Sequence, residues 1–415
     1  MKILILGGGP AGCSAAYFLK QLGIDNIDLV EKEVIGGCAR TRFYDSIPYE
    51  FGPQILYTDE PEIKKIFERF VVNRKAPTED GEYHPKLSID GRLDNLHDFP
   101  ITISNVLKLG NPTKIIYELY RLNLENPDYS NFEKYMLSRI GPTLYKSYIE
   151  NYNRKHWKCN PSELDADWAK KRTLTLRERN DMFQGQWQGH PGNHNKIWEG
   201  MIVGVNVIKA KGSISEDFRK VFIDEKDIKR NYDLIITTLP LSSKLPYVHT
   251  LKIYIVIKEK ECNIPCYLIT FPNNYNFIRI MNYNKQFYTD TNVTLLDFAF
   301  SWTDKTGIDV NKCIEEVRWF CKNILKRKIY DLFCINRRYT YPVPKLSIKK
   351  YIDEKLKMAS YDKKIVPLGR CGMHAYISKD VCVRMGLIMS QNFNDILAGG
   401  RKKLSILYKM REKLR

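Results

Sequence analysis

The 415-residue sequence has no apolar run that approaches the ~20 residues a helix needs to cross a bilayer. We also expect no signal peptide, because "ILIL" follows Met-Lys at once and runs into glycines, without a small-residue cleavage site. Both absences argue against a membrane-spanning or exported protein. We therefore expect a cytoplasmic protein.

Cysteine pairs at metal-binding spacing are also lacking. The ten cysteines are scattered, and the closest pair, Cys262 and Cys266, has no second pair or histidine at the spacing of a zinc site. The pattern therefore predicts no metal site, and the thiols of a cytoplasmic protein are normally reduced.

Acidic residues are outnumbered by basic ones, which gives a net charge of +18. The positive charge favours acidic partners such as nucleic acid, phosphorylated metabolites or a membrane surface. A composition rich in Lys, Asn, Ile and Tyr, as AT-rich coding sequence produces, explains it equally well. With 43% hydrophobic residues the chain is expected to be globular, and its length indicates more than one domain.

The first thirty residues carry the pattern of a dinucleotide-binding unit. "KILIL" reads as a buried strand, and it is followed by "GGGPAG", in which Gly7, Gly9 and Gly12 fit G-x-G-x-x-G. A helical pattern stops at Gly23, and a second strand, "NIDLVEK", ends at Glu31. The glycines allow a pyrophosphate to approach the helix N-terminus, and the acid can accept from ribose hydroxyls.

A second glycine turn follows the acid in "KEVIGGCART". This resembles the flavoproteins that include amine oxidases and protoporphyrinogen oxidase, and the resemblance implies FAD rather than NAD(P) as resident cofactor. "YDLIITTLP" and "KIVPLGRCGMHAYISKDVCVRMGLIMS" look like later FAD segments, with Arg370 at the pyrophosphate and a helix after Lys379 facing the flavin. The candidate cofactor-binding residues are Gly7, Gly9, Pro10, Ala11, Gly12, Glu31, Lys32, Gly36, Gly37, Cys38, Arg40, Gly369, Arg370 and Val381.

One family within this superfamily, UDP-galactopyranose mutase, is similar in order and spacing over about 380 residues. The matching segments are "EFGPQILYT" (50–58), "LHDFPIT" (96–102), "GPTLYKSYIENYNRKHWKCNPSEL" (141–164), "WQGHPGNHNKIWEGM" (187–201), "NFIRIMNYNKQF" (276–287), "RRYTYPVPK" (337–345) and the final segment with Tyr376.

The resemblance implies an α/β fold with a Rossmann-like FAD-binding domain built from discontinuous segments. This domain would comprise residues 1–98, 186–240 and 346–398. A helical domain would be inserted at 99–185, where "ISNVLKL", "KIIYELYRLNL" and "FEKYMLSRI" read as amphipathic helices. An antiparallel sheet domain would lie at 241–345, supported by "LKIYIVIKE" and "VTLLDFAFSW". Residues 399–415 would form a basic tail.

The resemblance also assigns substrate roles. Trp157 and Tyr152 would bracket the uracil, with core packing as the alternative for both, and more strongly for Tyr152. Arg279, a cation in an otherwise apolar strand, would bind the diphosphate unless an ion pair buries it. Lys171 or Arg172 would supply the second cation, and Tyr341 and Tyr376 hydroxyls would reach the same phosphates unless they only pack an interface. His156 would be a loop residue, and Arg154, Lys155 and Lys158 would be solvent-facing.

The implied chemistry interconverts UDP-galactopyranose and UDP-galactofuranose without net redox change. Reduced flavin attacks the anomeric carbon through N5, UDP leaves, the sugar opens and recloses, and UDP returns. The protein must hold UDP throughout. NAD(P)H or another reductant would be needed only to reduce the FAD, and a homo-oligomer remains open.

The sugar end departs from the family pattern. Gln54 stands where the family has a histidine, and it cannot titrate, although it could bind a sugar hydroxyl. Tyr57 replaces a second histidine, and Thr340 and Ser378 replace a tyrosine and an acid. A family tyrosine is missing near Met182 and Phe183. Another nucleotide-diphosphate hexose therefore stays open as the substrate.

Two other functions remain. A flavin oxidase or desaturase of the amine-oxidase type shares the FAD segments but does not need the Tyr152, Trp157 and Arg279 arrangement. A nucleic-acid- or membrane-surface-binding protein is suggested by the tail "GGRKKLSILYKMREKLR", which is basic and has apolar residues at helical spacing.

Overall fold

The computed structural model describes residues 1–70, 84–169, 187–189, 192–260, 262–287, 289 and 291–412. Its first layer is a five-stranded parallel sheet. The central strands are buried runs of Ile, Leu and Val, as expected where helices cover both faces of such a sheet. The strand order is Ile365–Pro367, Leu234–Thr237, Ile3–Leu6, Ile27–Val30 and Asn206–Ile208. The predicted Rossmann-like α/β unit, assembled from separated segments, is confirmed.

Helices from the beginning, middle and end of the chain cover this sheet. Pro10–Gln21 packs against Lys379–Gln391 and Asn195–Met201, and Lys349–Tyr361 packs against the last strand. Small residues permit the closest of these approaches, because a Cβ atom on Gly386 would lie 2.7 Å from the Ser14 hydroxyl oxygen. The interface between the first helix and Lys379–Gln391 therefore joins the two ends of the chain.

The second layer is a seven-stranded, mostly antiparallel sheet that contains both predicted long strands. Its order is Asp331–Pro342, Tyr247–Ile257, Thr294–Trp302, Arg279–Asn282, Leu268–Thr270, Lys86–Leu87 and His97–Asp98. The last two strands correct one expectation. Residues 84–98 were assigned to the FAD-binding domain, but their strands extend this sheet.

The three segments predicted as helices of the inserted region are helical, at Ile103–Lys108, Pro112–Tyr120 and Phe132–Leu144. A π-helical turn at Tyr145–Glu150 then leads into a fourth helix, Asn151–Trp157. Gly141 has φ +76° and breaks the third helix one residue before Pro142. Apolar side chains of these helices share one core with Val248 and Val343 of the second sheet region.

The basic C-terminal segment is a packed helix, Gly400–Glu412, which corrects the prediction of a separate tail. It lies against Lys349–Tyr361 and Lys379–Gln391, and Leu407 and Met410 are buried in the core of the parallel sheet. The Lys403 ammonium group donates a hydrogen bond to the Asp362 carbonyl oxygen at 2.6 Å. The apolar residues therefore face the protein and do not offer a surface to a membrane.

Shorter elements complete the part of the chain that the structure describes. The remaining helices are Pro61–Phe70, Tyr283–Phe287, Val310–Phe320, Gly369–Gly372 and Phe393–Ala398, with short helical turns at Gly37–Ala39, Pro161–Glu163, Asp167–Ala169, Lys229–Asn231, Cys321–Leu325 and Leu346–Ile348. Small sheets pair Thr41–Tyr44 with Ile47–Glu50, Leu56–Thr58 with Trp187–Gly189, and Gly212–Ile214 with Val221–Ile223 and Lys226–Asp227. Every helix within the described ranges is too short or too polar to cross a lipid bilayer.

Candidate functional site

The predicted phosphate turn lies between strand Ile3–Leu6 and helix Pro10–Gln21. A Cβ atom on Gly12 would come within 1.9 Å of the Gly7 carbonyl oxygen, so glycine is required where the turn meets the helix. A Cβ atom on Gly9 would meet no atom within 4 Å, which indicates open space at the helix N-terminus. No side chain caps this helix, so its first N–H groups can bind an anion. The turn therefore fits a dinucleotide pyrophosphate.

Glu31 holds the two glycine turns together. Its Oε2 atom accepts a hydrogen bond from the Gly8 N–H at 2.8 Å, and its Oε1 atom accepts one from the Glu33 N–H at 2.9 Å. The Gly36 N–H in turn donates to the Gly8 carbonyl oxygen at 2.7 Å. Each carboxylate oxygen keeps acceptor capacity, so the predicted contact with a ribose hydroxyl remains a prediction.

The other predicted cofactor residues of this region lie around the second turn. Gly37 and Cys38 belong to the short helix Gly37–Ala39, and Arg40 donates to the Ile35 carbonyl oxygen at 3.5 Å. Lys32 is exposed, whereas Val381 is partly buried against the core of the parallel sheet. Their contacts with a cofactor remain predictions.

Gln54 connects the second glycine turn to the far end of the chain. Its side-chain amide donates to the Cys38 carbonyl oxygen at 3.3 Å. The Gln54 backbone carbonyl oxygen accepts a hydrogen bond from the Lys379 ammonium group at 2.6 Å. The segment predicted to lie beside the flavin thus contacts two of the three predicted cofactor segments.

Gly369 and Arg370 follow the last strand of the parallel sheet, as predicted. A Cβ atom on Gly369 would lie 2.5 Å from the Ala11 Cβ atom, so this turn touches the start of the dinucleotide helix. The Arg370 guanidinium donates to the Ile377 carbonyl oxygen at 2.6 and 3.0 Å and to the Thr340 carbonyl oxygen at 3.4 Å. Two of its five N–H groups are left for the predicted pyrophosphate contact.

Arg279 is a charged residue with an unused donor. Its Nε atom is buried and has no hydrogen-bond partner among the described residues. The nearby Asp297 carboxylate is paired with Lys252 at 2.6 Å, and both of these side chains are fully buried. Burial opposes the Arg279 charge, but Tyr341, Tyr152 and Asp297 raise its pKa above the ordinary value. Arg279 therefore remains cationic and can bind an anion.

Tyr341 and Tyr376 lie together beside Arg370. Their ring centroids are 5.4 Å apart, and the Arg370 guanidinium carbon lies 5.0 Å from the Tyr341 ring and 5.8 Å from the Tyr376 ring. Both rings are partly buried. The structure thus brings Tyr341 close to both arginines, Arg279 and Arg370, and their shared contact with phosphates stays a prediction.

Trp157 is a core residue, which corrects its predicted stacking role. Its side chain is 2% exposed, and its indole N–H donates to the Asn153 side-chain oxygen at 3.1 Å. Its ring packs edge-on against Tyr376 at 5.1 Å and against Trp168 at 5.5 Å. Because only 2% of its side chain is exposed, Trp157 offers no open surface to a base and instead packs against Tyr376.

His156 lies on a helix and is buried, which corrects its prediction as a loop residue. Its Nδ1 atom is 3.2 Å from the Ser301 hydroxyl oxygen in the second sheet. Tyr152, one turn earlier, stacks on the imidazole with centroids 5.9 Å apart and is itself partly buried. Tyr152 is therefore the aromatic residue of this helix that can still reach a base.

Lys155 is not solvent-facing, in contrast to its prediction. Its ammonium group donates to the carbonyl oxygens of Tyr275 at 2.7 Å and Phe277 at 3.0 Å, and also to that of Phe271. Burial lowers its pKa to about 7. Lys158 is also partly buried, whereas Arg154 is exposed and pairs with Glu150. Lys155 thus fixes the helix to the loop that precedes Arg279.

Several predicted positions lie outside the described residues. These are Lys171 and Arg172, proposed for the diphosphate, and Met182 and Phe183, near which the family tyrosine is missing. The role of Lys171 or Arg172 as second cation therefore stays a prediction.

Three polar residues of this region had no predicted side-chain role, namely the buried Glu50 and His194 and the partly buried Lys379. The His194 Nδ1 atom lies 2.6 Å from the Glu50 Oε1 atom, and its Nε2 atom lies 3.3 Å from the Lys379 ammonium nitrogen. Glu50 begins a recognised sequence segment and Lys379 begins a predicted helix, so both positions lie within motifs that the sequence shows. Their proximity in the fold could not be predicted, because no spacing rule connects positions so far apart.

Comparisons with known proteins agree with this architecture. Residues 5–70 match the NAD(P)-binding Rossmann-like domain, and residues 147–316 match the UDP-galactopyranose mutase family. The second match contains the Tyr152 helix and the Arg279 strand. The resemblance predicted from the sequence is confirmed.

Relatives along the full length give the same result. The chain is 23% identical to "Probable UDP-galactopyranose mutase" of Klebsiella pneumoniae, over 94% of each chain. It is 19% identical to dTDP-fucopyranose mutase of Escherichia coli, over 94% of this chain and 97% of the relative. Among solved structures, reduced UDP-galactopyranose mutase matches with a TM-score of 0.79 and 16% identity, over 99% of this chain and 98% of the other.

Proposed function

We propose that this chain, which carries the UDP-galactopyranose mutase domain, is a flavin-dependent isomerase. It interconverts the six-membered and five-membered ring forms of a nucleotide-diphosphate hexose, with UDP-galactose as the first candidate. The reaction moves no electrons between substrate and product. It therefore belongs to a mutase rather than to an oxidase.

The observation that carries the proposal is the segment Gly52–Gln54, which touches both halves of the site. At one end, the Gln54 side chain contacts the second glycine turn of the dinucleotide cradle at Cys38. At the other end, Gly52 lies against Arg279, whose Nη2 atom would be 3.1 Å from a Cβ atom there. A cofactor in the cradle and an anion on Arg279 would thus be neighbours.

FAD is the cofactor that this cradle suits in the proposal. The uncapped helix at Pro10 and the open space beside Gly9 fit its pyrophosphate, and Glu31 faces the same turn. The reduced flavin supplies the nucleophile for the anomeric carbon of the sugar. NAD(P)H or another reductant would generate this form.

Arg279 holds the nucleotide diphosphate while the sugar changes its ring. Its Nε and Nη groups form a planar fork that suits phosphate oxygens, and the low polarity around it strengthens that contact. Tyr341 and Tyr376 donate hydroxyl hydrogens to the same phosphates, and Tyr152 lies on the base side. Lys171 or Arg172 adds the second cation. Retention of the diphosphate prevents loss of the sugar to water.

A mutase for a different nucleotide-diphosphate hexose is the second candidate. Gln54 cannot exchange a proton at neutral pH, so its contribution is limited to hydrogen bonds that depend on the sugar hydroxyl pattern. One relative is named dTDP-fucopyranose mutase, and this name supports a deoxy sugar on another base as the alternative substrate.

Titration of the dithionite-reduced protein with UDP and with dTDP tests the nucleotide site. The proposal expects micromolar-to-millimolar binding of at least one of them. Arg279→Ala should weaken that binding about 30-fold, because truncating one partner of a buried charge pair costs about 2 kcal/mol or more. Arg318→Ala, at an exposed position on a neighbouring helix, is the matched control and should change nothing. Absence of binding by both nucleotides would favour a flavin oxidase.

A further inference from the structure

A buried pair of polar side chains, Glu50 and His194, lies next to the Gln54 segment and has no part in the reaction described so far. The side chains of Glu50 and His194 are both 0% exposed, and their Oε1 and Nδ1 atoms are 2.6 Å apart. The Thr41 hydroxyl donates to Glu50 Oε1 at 3.0 Å, and the Gln286 amide donates to Glu50 Oε2 at 3.1 Å. The Glu50 carboxyl group is thus held by contacts from three different side chains.

This arrangement determines which nitrogen of His194 carries the proton. A carboxylate at 2.6 Å from Nδ1 requires the hydrogen to lie between the two atoms. Nε2 is then an acceptor, and it lies 3.3 Å from the Lys379 ammonium nitrogen. Lys379 also donates to the Gln54 carbonyl oxygen at 2.6 Å. Glu50, His194 and Lys379 therefore form a chain of contacts. The last member, Lys379, places its amino group against the Gln54 segment beside the cofactor cradle.

Lys379 lies close enough to the cofactor cradle to interact electrostatically with negative charge on a bound cofactor. It is the first residue of helix Lys379–Gln391, which packs along the dinucleotide helix Pro10–Gln21. Through Gln54 it is linked to the second glycine turn, and that segment also reaches Arg279 through Gly52. The helix N-terminus adds its own positive potential, since no side chain caps it.

The charges around Lys379 come from several elements. Burial lowers the pKa of Lys379 to about 7, Glu50 and Asp380 raise it, and Arg370 lowers it. Asp380 accepts a hydrogen bond from the Ser378 hydroxyl, and burial raises the pKa of its carboxyl. Asp59 faces Asp380 from the adjoining segment and contributes to that rise. The ammonium group can therefore gain or lose its proton near neutral pH.

We propose that Lys379, positioned by His194 and Glu50, is a charge-balancing residue that stabilises the reduced state of the bound flavin. The inference rests on the proposed function for the identity of the cofactor. The inference goes beyond that function because it concerns Lys379. This residue can carry or lose a proton next to Gln54, whose side chain cannot. Reduction adds negative charge at the flavin pyrimidine, and a cation nearby lowers the free energy of that state.

The test is the midpoint potential of the flavin-loaded protein, measured by equilibration with a reference dye at several pH values. Lys379→Gln keeps a hydrogen-bond donor for Gln54 and removes the charge, and Lys379→Met removes both. Lys379→Arg keeps the charge. Lys196→Met removes an exposed lysine two residues from His194 and serves as the matched control.

We expect Lys379→Gln and Lys379→Met each to lower the preference for reduced over oxidised flavin about tenfold at pH ~6, a shift of about 30 mV for a two-electron couple. Above pH ~8 the difference should shrink, because the wild-type lysine loses its proton. Lys379→Arg should stay within threefold of the wild-type preference at pH ~6 and should exceed it above pH ~8, because the guanidinium keeps its charge where the lysine loses its proton. Lys196→Met should match the wild type.

Equal potentials for wild type, Lys379→Gln and Lys379→Met would overturn the proposal, even if both variants melt at lower temperature. The variants also separate this inference from the proposed function. A potential shift without any furanose product would leave Lys379 in its role and reject the mutase. Furanose product without a potential shift would support the mutase and reject the role of Lys379. A protein that binds no flavin would reject both the mutase function and the role of Lys379.

Discussion

The Nη2 atom of Arg279 lies 3.1 Å from the position that a Cβ atom on Gly52 would occupy. Gly52 has φ +141°, a conformation that side-chain-bearing residues rarely adopt. The strand that carries the anion-binding arginine and the segment beside the cofactor cradle therefore meet at a point where only glycine fits.

This contact predicts that Gly52→Ala weakens nucleotide binding. The added methyl group and the strained backbone would displace either the segment or the guanidinium, and we expect about tenfold weaker UDP binding by calorimetric titration. Gly23→Ala is the control, because Gly23 has φ +79° but no atom within 4 Å of an added Cβ. It should lower stability and leave binding unchanged. Equal binding by wild type and Gly52→Ala would show that the contact is not needed.

The burial of Trp157 predicts that its substitution affects stability more than binding. Trp157→Phe should lower the free energy of unfolding by about 1–3 kcal/mol in urea denaturation, because it leaves a cavity among Tyr376, Trp168 and Asn153. UDP affinity of the folded protein should change less than about threefold. Trp319→Phe changes a 53% exposed residue and should alter neither quantity. A large loss of affinity with intact stability would restore the stacking role.

Lys155 predicts a pH dependence of stability. Its pKa falls from the ordinary 10.5 to about 7 on folding. Between these values the unfolded chain binds more protons than the folded chain, so the free energy of unfolding contributed by this residue rises with pH, by about 1.4 kcal/mol per unit. Lys155→Met should therefore flatten the pH profile between pH ~7 and ~10 relative to wild type, as measured by denaturation at each pH.

The control for that profile is Lys146→Met, which removes an exposed lysine from the preceding turn. It should follow the wild-type curve. A Lys155→Met profile parallel to that of the wild type would mean that Lys155 keeps its proton throughout, with its three carbonyl contacts intact.

The packing of helix Gly400–Glu412 predicts that its apolar residues act in folding. Leu407→Ala should destabilise the protein by about 2–5 kcal/mol, whereas Leu107→Ala, at a 66% exposed position, should have little effect. Neither variant should change retention by DNA in a gel at low salt. Salt-sensitive DNA binding that disappears when Arg401 and Lys402 are replaced by Gln would instead indicate a second role for this helix.

Local signals were strong enough to predict the dinucleotide unit. The order of strand, glycine turn, helix, strand and acid indicates one known structural unit. The structure places "KILIL", the glycine turn and Glu31 as predicted. The two-residue strands Lys86–Leu87 and His97–Asp98 were missed, because so short a segment has no periodicity. Their assignment to the second sheet depends on pairing with distant strands.

The predicted substrate residues were recognised by type, but their burial could not be predicted. Trp157, His156 and Lys155 are neighbours in a basic stretch that resembles a surface loop, yet the helix turns all three towards the interior. The residue type alone does not distinguish a lysine that donates to three buried carbonyl oxygens from a lysine in solvent. The His194 and Lys379 contact joins positions 185 residues apart, and no local pattern reports such a pair.

The central claim is tested most directly by product analysis. The flavin-loaded protein is reduced with dithionite under anaerobic conditions and incubated with UDP-galactopyranose, UDP-glucose and a dTDP-deoxyhexose, and the products are separated by anion-exchange chromatography. We predict that at least one substrate yields its furanose form, with no net consumption of reductant and with strong loss of product for Arg279→Ala. No furanose from any of them, from protein shown to hold reduced flavin, would contradict the proposed function.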